Sequence, residues 1–75
     1  MRFAKKGEAM EIRVNGETRP WDHSITVRDL LEALGIRPGA VVVERNLQIV
    51  PRERVAEEMV EDGDSIEIIR LVGGG

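Results

Sequence analysis

At 75 residues, with 41% hydrophobic and 33% charged side chains and no cysteine, the chain can make one small globular domain, and it has no means to form disulfides, thiolate metal sites or cysteine nucleophiles. Its net charge of −3, from 11 basic and 14 acidic residues, disfavours a nucleic-acid binder, which would be basic. No apolar run nears the roughly 20 residues that cross a bilayer, and none follows the basic start Met1–Lys6, so neither anchor nor signal peptide is expected and the cytoplasm is the expected compartment.

Residues 1–9 show no periodicity, and only Phe3 is large and apolar there. They read as a disordered, dispensable extension, with an ordered domain over 10–72 and a flexible glycine tail over 73–75. Met10, Ile12 and Val14 alternate with Glu11 and Arg13, the period of a half-buried strand. Asn15-Gly16 is a strong hairpin signal, because both residues accept positive φ. The return strand, Glu17 to Trp21, contains Pro20, which cannot donate to a ladder, so it belongs at a sheet edge.

Thr26-x-x-Asp29 reads as a capping box, with Ile25 and Leu30 as the staple around it. Val27, Leu30, Leu31 and Leu34 then fall at i, i+3, i+4 and i+7, one apolar helical stripe. Gly35 can end that helix in the left-handed region, Ile36 can fold back onto Leu31, and Pro38 forbids continuation. A buried strand is expected over Ala40–Val43, broken at Asn46, and a second over Leu47–Val50, stopped by Pro51. Val55, Ala56, Met59 and Val60 have helix-like spacing, and one or two turns of helix are expected within Arg52–Val60. Asp62-Gly63-Asp64 is a turn. Ile66 and Ile68 face one side of the last strand and Glu67 and Ile69 the other, which suggests a central strand. Six acids from Glu57 to Glu67 with no base among them read as a solvated face. The pattern predicts an α+β domain: one main helix and a short one on a mixed four- to five-stranded sheet, joined by a crossover. The expected core sets Val27, Leu30, Leu31 and Leu34 against Ile12, Val14, Val42 and Ile68.

Catalytic arrangements are scarce. His23 and Ser24 are neighbours in a connection, and adjacency does not bring a base and a nucleophile into convergence with an orienting group. Glu57 with Glu61 and Glu58 with Asp62 are like charges at i, i+4, not carboxyls held in a pocket that separates their pKa values. Asp62-Gly63-Asp64 lacks the twelve-residue calcium pattern. Gly35 and Gly39 lack phosphate-loop spacing. No catalytic residue, bound cofactor or metal is expected.

The end of the chain is different. Ile68-Ile69-Arg70-Leu71-Val72 runs into Gly73-Gly74-Gly75. A carboxylate is a poor electrophile and must be activated, for instance as an acyl-adenylate, before a nucleophile attacks it. An enzyme that does so must thread the terminus into a narrow site. Glycine has no Cβ, so its backbone can approach a nucleotide closely, and three residues reach about 10 Å beyond a fold. For an arbitrary protein a frayed terminus is the default reading of such an end, and an inert tail on an interaction module stays open at this point.

The sequence resembles the ThiS family, sulfur carriers of thiamine biosynthesis with the β-grasp, ubiquitin-like fold. The resemblance rests on Ile12-Arg13-Val14-Asn15-Gly16-Glu17, Thr26-Val27-Arg28-Asp29-Leu30-Leu31, Asn46-Leu47-Gln48-Ile49-Val50-Pro51-Arg52, Asp62-Gly63-Asp64-Ser65-Ile66-Glu67 and Gly74-Gly75, in that order. Val55 replaces a common aromatic residue, Gly73 is an additional glycine, and residues 1–9 are extra. The resemblance implies that Gly75 is adenylated by a ThiF-like adenylyltransferase that uses ATP. Sulfur derived through a cysteine desulfurase then converts it to a thiocarboxylate, and thiazole synthase takes the sulfur to build the thiazole ring. Gly73 and Gly74 would thread the active site, and Arg70, Leu71 and Val72 are candidates for docking. The protein would be a monomeric cosubstrate, not an enzyme. The small subunit of molybdopterin synthase shares the implied fold and the terminal Gly-Gly but commonly has prolines before the tail. Carriers for tRNA thiolation or cysteine synthesis stay open as well.

Overall fold

The computed structural model describes residues 10–71. The expectations for the 1–9 extension, for Val72 and for the Gly73–Gly75 tail lie outside the described residues. The first strand, β1 (Met10–Val14), alternates buried and exposed side chains as its sequence requires. Asn15 and Gly16 take φ of 51° and 85°. Positive φ at both central residues is the two-residue turn whose twist matches that of paired strands. The chain returns as β2 (Glu17–Trp21), with Pro20 opposite Glu11.

A two-residue strand, β3 (Ile25–Thr26), leads into the helix α1 (Val27–Ala33). The Thr26 hydroxyl accepts the Asp29 N–H at 3.1 Å, which satisfies one of the helix's free N-terminal donors. At the other end Gly35 adopts φ of 75°. The Ile36 N–H reaches the Leu31 carbonyl at 2.8 Å and the Gly35 N–H reaches Glu32 at 3.0 Å. This paired closure depends on a left-handed residue after the helix, which glycine supplies without a steric penalty.

The remaining strands are β4 (Val41–Arg45), β5 (Gln48–Val50), β6 (Met59–Val60) and β7 (Ser65–Arg70). The main sheet has the order β2-β1-β7-β4-β5, and β3 pairs with β6 in a separate two-stranded ribbon. The Pro20 strand therefore lies at an edge and β7 at the centre, as the sequence implies. β1 and β7 run parallel, β7 and β4 antiparallel, so the chain must cross the sheet between its first and last strands, and α1 lies on that crossover. Val27, Leu30 and Leu31 are fully buried with Ile12, Val60 and Ile66.

Five expectations are corrected. The strand expected over Ala40–Val43 starts one residue later, because Pro38–Ala40 form a 3-10 turn. Val41 and Val43 therefore enter the core, while Val42 stands on the other face, opposite Ile69; Leu34 and Ile68 only pack against the buried cluster. Leu47 belongs to a second two-residue turn with Asn46, at φ of 53° and 72°, and not to β5. Helix over 52–60 is limited to a 3-10 turn at Arg52–Arg54. The carbonyls of Val55 and Glu58 accept the N–H groups of Arg28 and Val27, so they cap the start of α1 instead of continuing a helix of their own. Met59 and Val60 then pair with β3. Finally, the acidic run is not one solvated face, since Asp64 is buried and Glu58 pairs with Arg45.

Candidate functional site

The last strand carries the chain toward its glycines, and the structure fixes that strand at three levels. At its start, Asp64 is buried and accepts from Arg45 Nε at 2.7 Å, from Asn46 Nδ2 at 3.0 Å and from the Glu61 N–H at 2.8 Å. Arg45 also donates to Glu58 at 3.0 Å. Burial opposes ionisation of Asp64, but the bonds from Asn46, the Glu61 N–H and Arg45 outweigh it and hold the carboxyl below its ordinary value. The Asp64 hydrogen bond raises the pKa of Arg45 despite its partial burial.

This carboxyl has a consequence for stability. Because folding favours its ionised form, its contribution is complete above the ordinary carboxylate range near pH 4 and is lost as pH falls through the depressed folded value. Asp64→Asn is expected to cost about 2–3 kcal/mol at pH 7, since hydrogen bonds from charged and backbone donors are lost or weakened at a buried site. It should also flatten the loss of stability below about pH 4. Chemical unfolding of both chains between neutral and acid pH tests this; curves that stay parallel down the acid side would remove Asp64 from the account.

Two asparagines hold the strand further along. The Asn46 N–H and Oδ1 bond the carbonyl and N–H of Ser65 at 2.8 and 2.9 Å. The Asn15 N–H bonds the Ile66 carbonyl at 2.9 Å, and its Oδ1 accepts the Ile68 N–H at 2.7 Å. Beyond Ile68 the strand is held from the β4 side, through Val41 opposite Arg70 and then a 3.0 Å bond from the Leu71 N–H to the Ala40 carbonyl.

Around this exit the face of the sheet turned away from α1 is apolar. Ile69 and Val42 are cross-strand neighbours, Ile49 lies opposite Glu44 on the next strand, and Leu71 continues the Ile69 side by alternation. Ile49 is 64% exposed, Leu71 50% and Ile69 45%, so three large apolar side chains meet solvent beside the strand that bears the tail. Glu44 and Glu67 lie opposite each other on the same face. An apolar patch with a charged margin is the composition of a protein-binding surface.

Arg70 and Leu71, both singled out from the sequence, are exposed, but alternation puts them on opposite faces of the sheet. His23 lies against Asp22 in an exposed loop, while the Ser24 hydroxyl points to the Met10 sulfur at 3.9 Å, so no Ser-His pair forms. Among the described residues no group of three or more His, Asp or Glu side chains could hold a metal ion, and no helix is long and apolar enough to cross a membrane. Sequence reasoning missed the Arg45–Asp64 pair and the strand-holding side chains of Asn15 and Asn46. The turn residues were visible, but their second role depends on which strand lies beside them.

The model of the ThiS family matches residues 12–75. The chain belongs to the ThiS family. The sulfur carrier protein ThiS of Escherichia coli is 38% identical over 66 residues, covering 88% of this chain and 100% of that protein. The crystal structure of the thiamine biosynthesis protein ThiS from Geobacter metallireducens superposes with a TM-score of 0.78 at 36% identity, covering 88% of this chain and all of that one. A thiazole synthase of Paramagnetospirillum magneticum is 47% identical over 66 residues, 88% of this chain. The chain spans only 20% of that enzyme's length. The α+β fold with one main helix on a mixed five-stranded sheet agrees with this membership.

Proposed function

We propose that the chain is a sulfur carrier of thiamine biosynthesis and that the Gly75 carboxylate is its working group. The observation that carries this reading is the family match, which runs through residue 75 and so includes the glycines that follow β7. In the proposed reaction an adenylyltransferase of the ThiF kind binds the apolar exit face and receives the tail. A carboxylate oxygen of Gly75 attacks the α-phosphate of ATP and pyrophosphate leaves. The terminal sulfur of a persulfide formed through a cysteine desulfurase then attacks the acyl carbon as AMP departs, and a thiol reductant cleaves the resulting acyl disulfide to leave the thiocarboxylate.

The thiazole synthase of P. magneticum carries a segment similar to this chain, which favours a thiazole synthase as the acceptor of the sulfur. The chain supplies a group that is consumed and regenerated, so it acts as a cosubstrate and not as a catalyst.

ATP–pyrophosphate exchange with the ThiF-like enzyme of the same organism tests the first step. Exchange that depends on the chain is expected; its absence at saturating carrier would contradict the reading. The same assay tests the docking residues. Arg70→Glu inverts a charge next to the strand exit, on the face of the sheet opposite to Glu44 and Glu67. If Arg70 meets an acidic partner surface, KM for the carrier should rise about tenfold with folding unchanged, about 1.4 kcal/mol of binding. A wild-type KM would remove Arg70 from the docking surface.

A further inference from the structure

Asn15 does more than form a turn. In a parallel ladder one residue donates its N–H to the carbonyl of one neighbour and accepts, through its own carbonyl, the N–H two residues further along. β1 follows this pattern: the Arg13 N–H bonds the Asp64 carbonyl and the Asn15 N–H bonds the Ile66 carbonyl, both at 2.9 Å. The next acceptor, for the Ile68 N–H, should be the Asn15 carbonyl. At φ of 51° the chain is already turning into β2. The side-chain Oδ1 takes the bond instead, at 2.7 Å.

The side chain thus adds the rung that the turn removes. Few residues can do this. The position needs a left-handed backbone, which glycine and asparagine tolerate, and also a short side chain with an acceptor, which glycine lacks. Past Ile68 the flank of β7 that faced β1 has no further strand among the described residues, because β1 has ended. By alternation the Ile68 carbonyl and the Arg70 N–H point to that flank. Asn15 is therefore the last support on that side among the described residues, which end at Leu71.

We infer that Asn15 is a positioning residue for activation: its Oδ1 holds β7 against the β1 side, so that the end of the strand up to Leu71 keeps one orientation. This rests on the carrier reading above. Without the side chain, β7 beyond Ile66 is held from β4 alone and samples several directions. Only a fraction of molecules then presents the tail correctly to the activating enzyme. Such a loss raises the apparent dissociation constant in inverse proportion to that fraction and leaves the bound complex as reactive as before.

The test uses the full chain with two substitutions. Asn15→Gly keeps the positive φ and removes the acceptor; Asn15→Asp keeps both. In Asn15→Gly, hydrogen exchange at the Ile68 amide should accelerate about tenfold, the effect of losing one hydrogen bond, while the Ile12 and Val14 amides stay protected. KM for the carrier in pyrophosphate exchange should rise about three- to tenfold with kcat retained, and Asn15→Asp should restore both. Unchanged exchange at Ile68 would overturn the contact. Faster exchange at Ile68 with a wild-type KM would overturn the positioning role. A wild-type chain that supports no pyrophosphate exchange would overturn the carrier reading and, with it, any role of Asn15 in activation, while the amide measurement still decides the contact.

Discussion

Gly74→Val and deletion of Gly75 should each abolish adenylation while the melting transition stays where it is in the parent chain. The core lies in α1 and the sheet, and its buried members end at Ile66. The substitutions fall eight or more residues beyond it, past the last backbone bond of the described residues, from Leu71 to Ala40, so none of the buried core residues is altered. Activation is another matter. From Leu71, four further residues reach Gly75, a span of at most about 14 Å. Removing one shortens that reach by about 3.5 Å, more than the tolerance of a reacting carboxylate, which must sit roughly 3–3.5 Å from phosphorus. A branched Cβ at position 74 widens a segment that must pass where only bare backbone fits. Losses of at least 100-fold in kcat/KM are expected, about 2.7 kcal/mol or more of transition-state stabilisation. Pyrophosphate exchange together with a thermal melt measures both quantities on one sample. Activity retained in either variant would detach the chemistry from Gly75.

Leu31→Ala is expected to cost about 2–5 kcal/mol of folding stability. Leu31 has no solvent exposure, and it also supplies the carbonyl that accepts the Ile36 N–H at the end of α1. Truncation leaves a cavity between the only α-helix of the described residues and the sheet. A domain of this size has about 5–10 kcal/mol in total, so the variant should be partly unfolded at moderate temperature. Urea denaturation gives the value directly, and a loss under about 0.5 kcal/mol, the range of surface changes, would place Leu31 outside the core.

What could be read from the sequence, and what could not, follows from the range of the interactions involved. The β1–β2 hairpin, the Thr26 cap and the Gly35 closure were legible because each is decided by residues within six positions of one another. Pro20 named the edge strand because a missing N–H acts wherever the residue sits. The segment 52–60 was misread for the opposite reason. Its apolar spacing suits a helix, but the carbonyls of Val55 and Glu58 are claimed by the N–H groups of Arg28 and Val27, a demand made from about 30 positions away. The acidic run failed in the same way. Nothing local distinguishes Asp64 from Asp62, yet Arg45 and Asn46 face only the first. The candidate site shows this division too. The glycines were visible as composition, and Arg70 and Leu71 as their neighbours. The apolar face made by Val42, Ile49 and Ile69 comes from three strands and exists only once β7 lies between β1 and β4.

The central claim is that sulfur is carried on Gly75. Its most direct test is the intact mass of the chain after incubation with ATP, the ThiF-like enzyme, a cysteine desulfurase and cysteine, followed by reduction and by fragmentation of the modified species. The account predicts a gain equal to one sulfur replacing one oxygen, located at Gly75 and lost when thiazole synthase and its substrates are added. An unmodified mass under conditions where the E. coli ThiS protein is converted by its own enzymes, or a sulfur located anywhere but Gly75, would contradict it.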